Sequence, residues 1–224
     1  MSKDRFNLRK MIALGIFSAV AYVVTFVFHV KIGFLTFDLK DSVVCIASML
    51  FGPLSGIAVA AVTATLELIT VSETGLWGWL MNFASTACFA AIAGMIYHYY
   101  RNLTGAVAGL LVSTAASVSL MLVLNILITP IYMKTTAAEV MNMIPKLLLP
   151  FNAVKYLNSA ALVLLFYKPL SILMKTVRVS GQGREENAYR FGLKSIIVMA
   201  SGLALCAVCL FIVFRFLGGS VSFF

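Results

Sequence analysis

The chain is a succession of long apolar runs separated by short polar stretches. The first run, from about Met11 to Val30, has the roughly 20 residues that a helix needs to cross a bilayer. A mixed polar and aromatic stretch follows, KIGFLTFDLKD, which carries Asp38, Lys40 and Asp41. The next apolar run, Ser42 to Phe51, is short for a span and ends at Gly52-Pro53, a strong turn signal. Such a helix either starts inside the preceding loop or lies against protein rather than lipid. A third helix is predicted over Leu54 to Thr70, and a turn over residues 71–75 leads into a fourth, Leu76 to Tyr100. Trp77 and Trp79 frame one end of that helix and Tyr97, Tyr99 and Tyr100 the other, as aromatic residues do at the two membrane–water interfaces. After the Arg101-Asn102 turn, helix five is predicted from Leu103 to Thr129 with a stop at Pro130. A connection from Ile131 to Lys146 precedes helix six, Leu147 to Leu173. A basic linker, 175–190, then separates off a seventh run, Phe191 to Leu217.

Composition turns these runs into a class. Of 224 residues, 62% are apolar and 11% charged, with a mean hydropathy of +1.01. Soluble domains carry about a quarter charged residues, so the reading is an all-α integral membrane protein: a six-helix bundle over 11–174 plus one C-terminal helix. The basic ends are 1–10 and the linker, and 218–224 is a short tail. That leaves no length for a soluble catalytic domain. With no GxxxxGK[ST] loop, the chain is not expected to hydrolyse ATP or to act as an enzyme. Cys206 and Cys209 form a CxxC inside a hydrophobic run with no acid or histidine beside it, so they read as packing residues. The first run is longer than the apolar core of a signal peptide, and no small-residue cleavage site follows it.

Charge orients the helices. The first ten residues hold four bases and one acid, and Lys168 to Lys194 hold six bases and two acids. The connections on the other side balance Lys31, Lys40, Lys134, Lys146 and Lys155 against Asp38, Asp41, Glu67, Glu73 and Glu139. Basic loops stay in the cytoplasm, which places the N-terminus, the Arg101 turn and the linker inside and the C-terminus outside a cell membrane.

Ionisable groups inside apolar runs are costly and tend to face a cavity or a partner. Asn152, Lys155 and Asn158 are spaced three apart in LLLPFNAVKYLNS and so share one helix face. Two readings stand: Lys155 is a binding group, or it reaches the outer interface while the asparagines bridge helices. In FLTFDLKD, Phe34 or Phe37 offers a stacking surface and Asp38 or Asp41 hydrogen-bond acceptors for a planar, polar-edged ligand; an ordinary solvated loop is the alternative. Glu67, Trp79 and Asn82 fall near the same ends of helices three and four, as cavity wall or as interfacial anchors. Gly15 and Ala19 have the small-xxx-small spacing that lets another helix approach, within this chain or from a separate subunit. His29 and His98 fall at opposite ends of the bundle, so no metal site is expected.

FLTFDLKDS, LFGPLSG and LLPFNAVKYLNSAALVLLFYKPLS, in this order on a basic-inside chain, resemble the S components of energy-coupling factor (ECF) vitamin transporters, most nearly their riboflavin-specific branch. The likeness covers about residues 8–175. It implies a six-helix fold with the vitamin near the outer face, capped by the loop after helix one, here Phe34 to Asp41. It implies no cofactor, with riboflavin as the transported ligand. The implied partners are a transmembrane coupling subunit and two cytoplasmic ATPases, which topple the S component to release the vitamin inside. Asn152 and Lys155 match the ligand-contacting Asn and Lys of the last helix, and Gly15 with Ala19 the motif that docks on the coupling subunit. Two features depart from the pattern: the seventh helix, and Glu67, where a basic or amide residue is expected. Another vitamin or precursor such as pantothenate, or an ion-coupled carrier using Glu67 or Lys155, are the alternatives.

Overall fold

The structure is a computed structural model and describes residues 3–70, 74–176, 193–217 and 220–221. Its elements in order are α1 (Lys3–Val27), β1 (His29–Ile32), β2 (Leu35–Asp38), α2 (Lys40–Phe51), α3 (Pro53–Thr70), α4 (Gly75–Tyr99), α5 (Leu103–Met133), α6 (Ala137–Met143), α7 (Leu149–Thr176), α8 (Leu193–Arg215) and β3 (Ser220–Val221). The helical membrane bundle is the expected class, and six of these helices are long and apolar enough to cross a bilayer. Most of the predicted 175–190 linker and part of the turn at 71–75 lie outside the described residues.

The short α2 follows from its surroundings. Its 12 residues rise about 18 Å, well under a hydrocarbon core of about 30 Å. Every residue from Lys40 to Leu50 is buried except Val43, so α2 is enclosed by protein, as its length requires. Two glycines make this enclosure tight. A Cβ on Gly56 of α3 would strike the Ser48 side chain, and one on Gly94 of α4 would strike Ser48 from the other side. Gly94→Ala is therefore expected to lower stability by about 1–3 kcal/mol, read as a fall in melting temperature of the detergent-solubilised protein.

Three local features differ from the sequence expectation. The polar stretch after α1 is a β-hairpin, so α1 ends at Val27 rather than Val30. β1 and β2 pair antiparallel with Ile32 opposite Leu35, and Gly33, at φ +60°, supplies the left-handed backbone of the two-residue turn. Val30, Ile32, Leu35 and Phe37 thereby share one buried face. Next, α5 continues past Pro130 to Met133, because proline's fixed φ is helical and its missing N–H costs one hydrogen bond. The helix stops instead at Lys134, in the left-handed region at φ 54°. Last, the connection before α7 is itself helical: α6, capped by Thr136 Oγ1 on the Glu139 N–H, runs through a π-helical turn at Ile144–Leu148 into α7.

α8 packs along α7. A Cβ on Gly202 would come within 3.0 Å of the Ala161 carbonyl oxygen. Cys206 and Cys209 are buried free thiols, as packing residues should be.

Candidate functional site

Hairpin, α2, α3, α4 and α7 converge on a cavity of about 170 Å³ at the hairpin end of the bundle. Its wall contains six of the residues singled out from the sequence: Phe34 in the hairpin turn, Asp38 on β2, Glu67 on α3, Asn82 on α4, and Asn152 and Lys155 on α7. Thr36 joins Phe34 in lining it from the hairpin. The sequence does not single out Lys40, Tyr156 or Ser85, which also line it.

The charges form an alternating ladder. Lys40 Nζ lies 2.6 Å from Glu67 Oε2 and 3.8 Å from Asp38 Oδ2. Lys155 Nζ lies 3.1 Å from the same Asp38 oxygen and 3.6 Å from Asp41 Oδ2. All five groups are buried, and each charge has an opposite neighbour, which is how ions persist in a medium of low dielectric. α4 closes both ends of the ladder. Asn82 Nδ2 donates to Glu67 Oε2 at 3.3 Å and Thr86 Oγ1 donates to Asp41 Oδ1 at 2.6 Å, from positions one helical turn apart. Burial alone raises the Asp38 carboxyl; the ammonium groups of Lys155 and Lys40 outweigh it and hold the carboxyl below its ordinary range. Lys155 is thus not at the solvent interface: it is 5% exposed and joins the last helix of the bundle to the hairpin across 117 residues of sequence.

Aromatic and amide groups complete the wall. Tyr156 is fully buried and stacks on Phe89 with centroids 5.5 Å apart. Asn152 Nδ2 donates to the Leu148 carbonyl at 2.7 Å, which fixes the amide one turn from the π-helical segment. Such a wall pairs flat apolar surface with convergent donors and acceptors, the combination that orients a small polar-edged molecule.

Three expectations are revised. Phe37 is buried with Val30, Ile32 and Leu35 in the apolar cluster on the other face of the hairpin, because strand alternation turns it away from Thr36. Trp79 is drawn off the cavity by a 3.3 Å hydrogen bond from Nε1 to Thr65 Oγ1 and by stacking on Phe83. Asp41 sits beneath the cavity as a partner of Lys155 and is not part of its wall. Asn158 is buried outside the wall as well. At a distance from the cavity, Gly15 and Ala19 lie on the exposed side of α1, and nothing stands within 4 Å of a Cβ built on Gly15. Among the described residues, no three acid, histidine or cysteine side chains are grouped to hold a metal ion.

Comparison with known proteins converges on one group. The family model for the substrate-specific component of ECF transporters matches residues 9–223, which takes in α8 as well as the six-helix part. The riboflavin transporter RibU of Staphylococcus aureus (strain TCH60) is 28% identical over 178 residues, covering 75% of this chain and 94% of that protein. The riboflavin transporter FmnP of Bacillus subtilis (strain 168) is 31% identical over 132 residues, 56% of this chain and 70% of its own. A solved S component of a bacterial ECF transporter superposes with a TM-score of 0.65 at 27% identity, covering 75% of this chain and 99% of that structure.

Proposed function

The chain belongs to the substrate-specific components of ECF transporters, and from that membership we propose that its cavity binds riboflavin for uptake across the cell membrane. The observation that carries this reading is the buried juxtaposition of Asn152, Lys155 and Asp38 with the aromatic Tyr156 in one cavity wall. Isoalloxazine is planar, with donors and acceptors along one edge, and matches a wall of that kind. Two relatives named as riboflavin transporters support the same ligand. Asn152, Lys155, Asp38, Glu67 and Asn82 are the contacting residues in this reading, with Asp41 and Lys40 holding the lysine and the glutamate in place. The two groups an ion-coupled carrier would use, Glu67 and Lys155, are both committed to ion pairs.

Active uptake then depends on partners, a transmembrane coupling subunit and two ATPases, with the exposed Gly15 and Ala19 face of α1 as the docking surface. The N-terminus lies in the cytoplasm and the hairpin and the end of α8 outside, following the distribution of basic residues.

The test is direct: purify the protein from cells, denature it, and record the absorption spectrum and mass of what is released. A stoichiometric flavin, with its visible absorbance, is the expected result. Release of pantothenate or another vitamin would reassign the ligand within the same family.

A further inference from the structure

α8 and β3 have no part in the site as described, yet they reach it. β3 pairs antiparallel with β1, Val30 opposite Val221 and Lys31 opposite Ser220, giving a sheet of order β2-β1-β3. The hairpin over the cavity therefore has a third strand, supplied from the far end of the sequence, and β1 is its central strand. The helix that leads to β3 is anchored twice. Gly202 brings it against the Ala161 carbonyl of α7. About two to three turns later, Cys209 and Val213, four apart on one face, enter the apolar cluster formed by Val30, Ile32, Leu35 and Phe37 of the hairpin and Phe151 and Val154 of α7.

We infer that α8 and β3 position the capping hairpin over the cavity, and thereby set how long a ligand stays bound. The inference rests on the reading of the cavity as a ligand site. A two-stranded hairpin is marginal by itself, and an open β1 edge beside a membrane leaves N–H and C=O groups without partners. β3 supplies such partners to β1, while Cys209 and Val213 pack with the apolar residues that alternate with Lys31, Thr36 and Asp38 along the hairpin. The other consequence lies in the ladder: the hairpin carries Asp38, so lifting it breaks the 3.1 Å contact with Lys155. A ligand held against Phe34 and Thr36 is freed as the hairpin moves, and each such movement must also part β1 from β3 or drag β3 with it. The positioning elements act on the ligand through the hairpin and do not touch it.

The experiment uses the full chain. Ser220→Pro with Val221→Pro removes the β3 N–H that faces β1, whichever of the two residues carries it, without altering the spanning helices. The expected result is about tenfold faster amide hydrogen exchange over residues 29–38 and about tenfold faster riboflavin release. The melting temperature of the unliganded protein should be unchanged. In the opposite direction, Val30→Cys with Val221→Cys places two thiols at paired positions of neighbouring strands, within disulfide reach. Oxidation should slow riboflavin release, and a reductant should restore it. Unchanged exchange in the proline variant overturns the inference, and so does altered exchange with a release rate within about twofold of the parent in both variants. If exchange responds but the unsubstituted protein binds no riboflavin, the flavin assignment falls and the positioning of the hairpin stands.

Discussion

Lys155→Ala is expected to lower the stability of the unliganded protein by about 3–5 kcal/mol and to abolish tight flavin binding. The size of the first effect comes from what the substitution leaves behind. Lys155 Nζ sits 3.1 Å from Asp38 and 3.6 Å from Asp41, and both carboxylates are buried. Without the lysine, Asp38 keeps the Lys40 ammonium at 3.8 Å and the Lys40 backbone N–H at 3.3 Å, and Asp41 keeps the Thr86 hydroxyl. Truncation of one partner of a buried pair measures the cost of the stranded charge as well as the lost attraction. The second variant that separates these contributions is Lys155→Met with Asp38→Asn, which removes one charge of each sign; it should recover part of the stability and none of the binding. Melting curves in detergent with flavin titrations on the same samples provide both readings. A loss below about 1 kcal/mol for Lys155→Ala would mean that the pair is solvated, as surface ion pairs are, and would remove the lysine from the enclosed site.

The ladder also explains which parts of the site are legible in the sequence. Asn152 and Lys155 stand out because polar groups three residues apart in an apolar run need a reason to be there. Their partners stand out less. Lys40 reads as one more charge in a polar loop, and only the fold brings it 27 residues along the chain to Glu67 at 2.6 Å. Tyr156 and Ser85 carry no sequence signal at all, since a tyrosine and a serine in spanning helices are ordinary. The hairpin was encoded more openly. Val30, Ile32, Leu35 and Phe37 fall on alternate positions around Gly33-Phe34, the pattern of two short strands. The adjoining apolar run obscures it, because the end of a spanning helix and a buried strand look alike over four residues. Trp79 shows the opposite error: an aromatic residue at the correct end of the correct helix is held by Thr65 and Phe83 and is absent from the cavity wall, and one-dimensional position does not specify azimuth.

α2 links fold to site. A full-length span in its place would carry Lys40 and Asp41 to a membrane–water interface, where water would dissolve the ion pairs. A helix of about 18 Å stops short, and the hairpin descends to meet it. The acids and lysines thereby come together buried within protein, with the strand pairing supplying backbone hydrogen bonds to the hairpin. Tight packing at Gly56, Ser48 and Gly94 is what keeps this short helix in register with its neighbours.

Transport should depend on a different surface from binding, and Gly15→Leu is expected to separate them. Gly15 and Ala19 lie four apart on the exposed side of α1, flanked by the exposed side chains of Ile12, Ile16 and Val20. No atom stands within 4 Å of a Cβ at Gly15, so the fold itself has room for leucine, and a helix interior is if anything steadied by the loss of a glycine. Flavin titration of the isolated variant should match the parent, because the cavity is formed by other elements. In cells with the coupling subunit and ATPases, uptake should fall about tenfold, which corresponds to roughly 1.4 kcal/mol of lost docking energy. The physical cause is distance: two small residues one turn apart let a partner helix approach backbone to backbone, and a leucine on that stripe holds the helices apart across the whole contact. Uptake equal to the parent's, at equal protein levels, would make the stripe a lipid-facing surface and move the search for the docking face to another helix.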